Sequence, residues 1–200
     1  MTNATPPRIA EAALRLILPP HDRDTVSGDL LEEYRESVYP QRGRVRADAW
    51  FVSQVIGFLC RDNRLWAALL GASLIARTAL DWLVPTVDFQ TRSTVSTVLA
   101  IGVLSFSGFS AAWRSGSPWT GVLAGITSAV IAAAISIAGA SWLLIVYHDP
   151  ATLVAIRGSG GLQETFTLPL LLVVPGACLG ALGGTVSWVL REFVGAARSS

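Results

Sequence analysis

Between Arg114 and Asp149 the chain runs through 34 residues without a charged side chain. Another 26 separate Glu164 from Arg191, and 21 separate Arg92 from Arg114. A helix needs about 20 predominantly apolar residues to cross a bilayer. A buried backbone must also satisfy its own polar groups there, which a helix does. These blocks therefore predict membrane-spanning helices through the second half of the chain. They also limit chemistry, because a span without ionisable groups has little with which to catalyse a reaction.

The charge deficit is local. The whole chain is 52% hydrophobic and 14% charged, where soluble domains carry about 25% charged residues. Residues 65–190 hold only Arg77, Asp81, Asp88, Arg92, Arg114, Asp149, Arg157 and Glu164, whereas residues 1–64 carry nine Arg against nine Asp or Glu. The expected fold class is all-α: an integral membrane four-helix bundle preceded by a small cytosolic helical domain. The domain should cover residues 1–62 and the membrane part 63–192, with a short cytosolic tail at 193–200. Spans are expected at about 65–84, 95–113, 119–147 and 167–190. A net charge of +1 argues against a nucleic-acid partner. All basic side chains are Arg, which reads as coding bias. Met1 to Pro7 is polar, and Glu11 and Arg15 interrupt the next apolar stretch, so no signal peptide is expected.

Three helices should precede the spans. Ile9, Ala12, Ala13, Leu16 and Ile17 share one face of a helix over residues 8–18, ended by Pro19-Pro20. A second helix should run from about Asp22 to Val38, with Asp22 and Asp24 at its positive end. Val26, Leu30, Leu31, Tyr34 and Val38 form its apolar stripe, and Pro40 and Gly43 close it. A third, from Val45 to Cys60, is rich in aromatic residues and flanked by Arg. Two placements stay open for it: a helix lying at headgroup level, or a core helix of the soluble unit.

The first span is interrupted by Arg77 and Asp81, four residues apart and able to pair on one helix face. As the single ionisable cluster at membrane depth they are a functional candidate. The plainer expectation is a neutralised pair that snorkels to the far surface. Four spans place the N-terminal domain, the Arg114 loop and the tail with Arg191 and Arg198 on one side. The excess of Arg there makes it cytoplasmic, with both termini inside a bacterial cytoplasmic membrane. If the Arg77 segment fails to span, the C-terminus lies outside.

Gly176, Gly180 and Gly184 recur every four residues in the fourth span, and Gly121 and Gly125 do so in the third. Such faces let helices approach closely. They serve either packing within the bundle, the preferred reading, or a homo-oligomer interface. Pro175 should kink the fourth span. The far-side loop His148 to Phe166 has no ligand partners for His148, and Ser159 has no nucleophile-elbow setting. The loop's glycines are not followed by the Lys-Ser/Thr pair of a phosphate loop. Cys60 and Cys178 fall at different depths, so no disulfide is expected. No catalytic, cofactor-binding or metal-binding residue is expected.

The segment Gly28-Asp29-Leu30-Leu31-Glu32-Glu33-Tyr34, with Pro6-Pro7, Leu18 to Pro20, Asp22-Arg23-Asp24, Trp50 and Gln54, resembles the second type of permease prefix domain. That domain precedes macrolide-export-like ABC permeases in acidobacterial and related genomes. The resemblance covers roughly residues 6–60. The family's usual context has one span, a large extracellular domain and three more spans. Here the expectation is a stand-alone prefix-like domain on a compact four-span module. The resemblance implies an accessory or regulatory partner of an export permease, docking through Asp29, Glu32 and Glu33. The alternative is a small oligomeric transporter or channel for hydrophobic cargo. A membrane enzyme ranks last, for want of a nucleophile with a base or of paired acids.

Overall fold

The computed structural model describes residues 5–86, 89–147 and 149–199. Among these the chain is helical, with no strand. Helices α1 (Arg8–Ile17) and α2 (Arg23–Glu33) lead through a π-helical turn, Tyr34–Val38, into α3 (Tyr39–Leu83). Then come α4 (Phe89–Ser115), α5 (Pro118–Val146), α6 (Pro150–Gly158), α7 (Gly161–Leu171) and α8 (Val173–Ser199).

The N-terminal unit folds around the stripe its sequence encodes. Leu14 of α1, Leu30 of α2, Tyr34, and Ala47, Phe51 and Val55 of α3 form one buried cluster. Full burial of a side chain such as Leu14 contributes about 1.5–3 kcal/mol. Tyr34 meets Phe51 edge to face, with ring centroids 5.8 Å apart. Asp22 precedes α2 and Asp24 lies in its first turn, at the positive end as expected, though Asp22 makes no side-chain cap bond; its carboxylate faces His21 at 3.1 Å.

The largest departure from expectation is α3. Gly43, at φ +71°, breaks it near its start, a conformation glycine adopts without the Cβ penalty. Beyond that break one helix continues through both the expected third helix and the expected first span. Forty residues at ~1.5 Å each make a rod of roughly 60 Å. Residues 45–60 therefore do not lie flat at a headgroup layer while 65–83 crosses it. Phe51 is fully buried, so the core placement holds.

Four long helices form the rest. α5 packs on α3, α4 and α8, and α4 packs on α3, α5 and α8, leaving α3 and α8 at opposite edges. Ile75 of α3 seats over Gly139 of α5, and Ile135 of α5 seats over Gly71 of α3. Among the described residues three helices are long and apolar enough to cross a membrane: Gln90–Ser115, Pro118–Val146 and Gly161–Val194. Leu65–Leu83, which carries Arg77 and Asp81, is not one of them. Large apolar side chains stand exposed along the long helices, among them Leu69, Val98, Phe106, Ile145, Val174 and Leu182. So broad an exposed apolar surface calls for a non-aqueous neighbour.

The described part of the segment expected as a loop up to Phe166 is mostly helical, in α6 and α7. Asp149 starts α6 by accepting from the amides of Ala151 (3.0 Å) and Thr152 (3.1 Å), and from the Thr152 hydroxyl (2.7 Å). The Thr152 hydroxyl, and then the Thr152 amide, hold the Asp149 carboxyl below its ordinary pKa. α7 starts at Gly161, well before the expected span start at 167. Pro175 interrupts the last span, as expected. It lies in the first turn of α8, after a turn at Leu172 that separates α7 from α8. The reason is steric: a proline ring clashes with the carbonyl four residues earlier, here that of Leu171, where α7 stops.

Candidate functional site

The expected glycine faces meet each other. A Cβ added at Gly121 would lie 2.5 Å from the carbonyl oxygen of Gly180 and 2.9 Å from the Cα of Gly184. Gly125 abuts Gly176, and Gly184 abuts Pro118. On α4, Gly108 touches Gly180, and Ser105 touches Gly183. All five expected glycines thus serve a backbone-to-backbone seam of α8 against α4 and α5 within one chain.

This seam shapes a cavity. α4 and α8 are held together at Gly108 and Gly180. Beyond Leu172 the chain turns into α7, which packs on α5. The first half of α4 and α7 therefore line opposite walls of a cavity of about 640 Å3. Leu74, Leu104, Leu168, Leu172 and Leu179 give it an apolar lining, and Ser96 and Ser136 add hydroxyls. Thr97, Ile101, Leu168 and Cys178 of its lining are exposed, so the cavity is open to the outside of the bundle.

One end of the cavity is charged. Arg77 Nε lies 3.5 Å from Asp81 Oδ2, the expected pair. Arg92 of α4 completes it: its Nη1 lies 3.4 Å from Asp81 Oδ1. The same Nη1 donates to the carbonyls of Leu80 and Val84, both at 2.8 Å. The Asp81 side chain is 8% exposed, Arg77 19% and Arg92 23%. Asp81 is thus buried between two arginines near the end of α3. A second cation and the capping of α3 hold it inside the bundle, as the high cost of an unpaired buried charge requires. Glu164 of α7 lines the same cavity and makes no ion pair among the described residues.

The acidic stripe of α2 lies elsewhere. Asp29, Glu32 and Glu33 are exposed, while Leu30 and Tyr34 of the same segment are buried. The structure does not bring this stripe to the cavity.

Three features escaped the sequence. Arg92 was counted only as a loop charge; the short connection after Val84 was the signal that it returns to Asp81. Asn63, Ser107 and Ser128 form a buried polar link between α3, α4 and α5, with Ser107 and Ser128 hydroxyls 2.8 Å apart. Hydroxyls inside otherwise apolar helices were its signal. The Gly71 and Gly139 sockets were missed because each glycine stands alone. His148, weighed as a metal ligand or proton carrier, lies outside the described residues. Among the described residues no cluster of three His, Cys, Asp or Glu could hold a metal ion.

Compared with known proteins, the chain matches no family model, no curated protein and no solved structure.

Proposed function

We propose that the protein is a non-enzymatic multi-pass membrane protein of the bacterial cytoplasmic membrane, and that its bundle receives one lipid-like amphiphile. One observation carries this: an open, largely apolar cavity of about 640 Å3 whose lining includes Arg77 and Asp81, with Arg92 bonded to Asp81. That volume suits a small ligand. Apolar walls take the hydrocarbon and the charged end takes a polar head. Arg77 and Arg92 are balanced by Asp81 and Glu164, so the charged end suits a polar or zwitterionic head. In this reading α3 supplies a fourth span. The test is native mass spectrometry of the full chain extracted from its own membranes. A bound amphiphile is expected, and Ser96→Phe, which fills the cavity, should abolish it without lowering the melting temperature. A ligand-free wild-type protein under mild extraction would count against the reading.

A second reading is an accessory role beside an export permease. Its support is the prefix-like segment with Asp29, Glu32 and Glu33 presented together to solvent. A membrane partner with a basic cytosolic face would meet that stripe. Charge reversal of all three, followed by pull-down from native membranes, tests it; an unchanged partner set would sink it.

A further inference from the structure

The end of the bundle that carries the N-terminal unit holds a second cleft of about 640 Å3, between α1–α2 and the turn joining α4 to α5. Three guanidinium groups line it, from Arg15, Arg23 and Arg191, against one carboxylate, Glu192. Their bonding is unequal. Arg15 pairs with Glu11 at 3.2 Å. Arg23 gives Nη2 to the Leu18 carbonyl at 3.3 Å, while its Nε is buried with no hydrogen-bond partner. Arg191 gives Nη1 to the Trp113 carbonyl at 3.1 Å and makes no ion pair among the described residues. The Arg191 guanidinium and the remaining Arg23 N–H groups are the donors available to a ligand in the cleft.

The remaining wall is the turn Ser115–Gly116–Ser117. Gly116, at φ +77°, leaves room for the guanidinium: a Cβ there would lie 2.8 Å from Arg191 Nη1. Ser117 opens α5 without a side-chain cap bond, and the first turn of α5 contains no acid. The positive end of a 29-residue helix therefore borders the same cleft, a setting that favours anions.

Depth identifies the source of the anion. Trp113, Trp119 and Trp188 are 42%, 67% and 41% exposed near this end of α4, α5 and α8. Exposed tryptophans gather at membrane interfaces. We propose that this cleft binds a phosphate-bearing anion, the phosphodiester headgroup of an acidic lipid. Arg23 and Arg191 take its non-bridging oxygens, and Trp188 meets the glycerol end. Basic pockets at the cytoplasmic ends of spans bind such headgroups. The proposal rests on the membrane reading but not on the Arg77–Asp81–Arg92 cavity.

The test uses the full chain in neutral detergent, titrated with phosphatidylglycerol or phosphatidylcholine and followed by native mass spectrometry. Phosphatidylglycerol should bind in preference. Measured in the Ser96→Phe background, which closes the other cavity, Arg23→Gln and Arg191→Gln should each weaken it about tenfold, and Arg191→Lys should weaken it less. Arg191 is exposed, so its variants remain informative if Arg23→Gln fails to fold. Equal binding of the two lipids, or unchanged phosphatidylglycerol binding in the Arg191→Gln protein, would overturn the proposal. A parallel arm adds inorganic phosphate to the protein in phosphatidylcholine nanodiscs. Stabilisation there that is lost in Arg191→Gln, with no effect of phosphatidylglycerol, would make the ligand a soluble phosphate and overturn the lipid assignment.

Discussion

Asp81 and Arg92, on successive helices, face each other at 3.4 Å inside the bundle. Arg92 also closes the end of α3 through the carbonyls of Leu80 and Val84. One side chain thus balances a buried charge and caps a helix. Arg92→Leu should cost about 1–3 kcal/mol, the range for losing hydrogen bonds to a charged group, because Arg77 still faces Asp81. Arg92→Lys, which keeps the charge but not the fork, should recover part of that. Thermal melting of the full chain in detergent measures both. A wild-type melting temperature for Arg92→Leu would show that Arg77 alone balances Asp81 and that the Arg92 cap adds nothing.

Gly180 and Gly57 make opposite predictions from the same substitution. A Cβ on Gly180 would come within 3.0 Å of the Cα of Gly125, and closer still to the Gly121 carbonyl oxygen. Backbone cannot step aside as a side chain can, so Gly180→Ala must part α5 from α8. It should destabilise by about 1–3 kcal/mol, as overpacking does. Gly57 lies within α3 with nothing within 4 Å of an added Cβ. Gly57→Ala should therefore stabilise by about 0.5–1 kcal/mol through helix propensity alone. Melting curves of the two variants should move in opposite directions; a shared direction would refute the seam.

Tyr34 gives the N-terminal unit a pH signature. Its hydroxyl donates to Asp48 Oδ1 at 2.5 Å. Burial first, then that hydrogen bond and the Asp48 charge, push its pKa from 10.0 up to about 12. The folded state thus holds the phenolic proton more tightly than the unfolded state. Its stabilisation is fully present below pH 10 and is lost as pH rises toward about 12. Tyr34→Phe should flatten the stability profile in that window and cost about 1 kcal/mol at neutral pH. Equilibrium unfolding across the window tests this; an unchanged slope in the Phe variant would remove Tyr34 as the cause.

What the sequence could reveal follows from the range of each interaction. Charge-free blocks and the glycine spacing in α5 and α8 are periodic, so the long helices and the Gly121–Gly180 contact could be read from them. Helix ends depend on single bonds. Asp149 looked like a lone acid beside His148, yet its carboxylate starts α6. The continuity of α3 was hidden because the charged run Arg61 to Arg64 reads as a boundary. In the fold those residues lie on one uninterrupted rod, and Asp62 has a partner across the bundle in Arg114. The cavity was illegible for the same reason. It exists because α8 is fastened to α4 at Gly108 while α7 leans onto α5, and no local pattern records that divergence.

The Asp62–Arg114 pair also yields a topology. Arg114 Nη1 lies 3.5 Å from Asp62 Oδ2, and Arg191 of α8 donates to the Trp113 carbonyl at 3.1 Å. These contacts gather Asp62 on α3, the end of α4, the start of α5 and the last part of α8 at one end of the bundle. α3 then runs away from that end, α4 returns, α5 runs away, and α7 with α8 returns. If α3 crosses the membrane with the others, both termini share one side, and the Arg at this end makes that side cytoplasmic. Alkaline phosphatase fused after Thr86 or Ser159 should be active, and a fluorescent protein fused at Ser200 should fold in the cytosol. N- and C-terminal reporters on opposite sides would show that α3, burdened by Arg77 and Asp81, does not cross, and that three spans carry the fold.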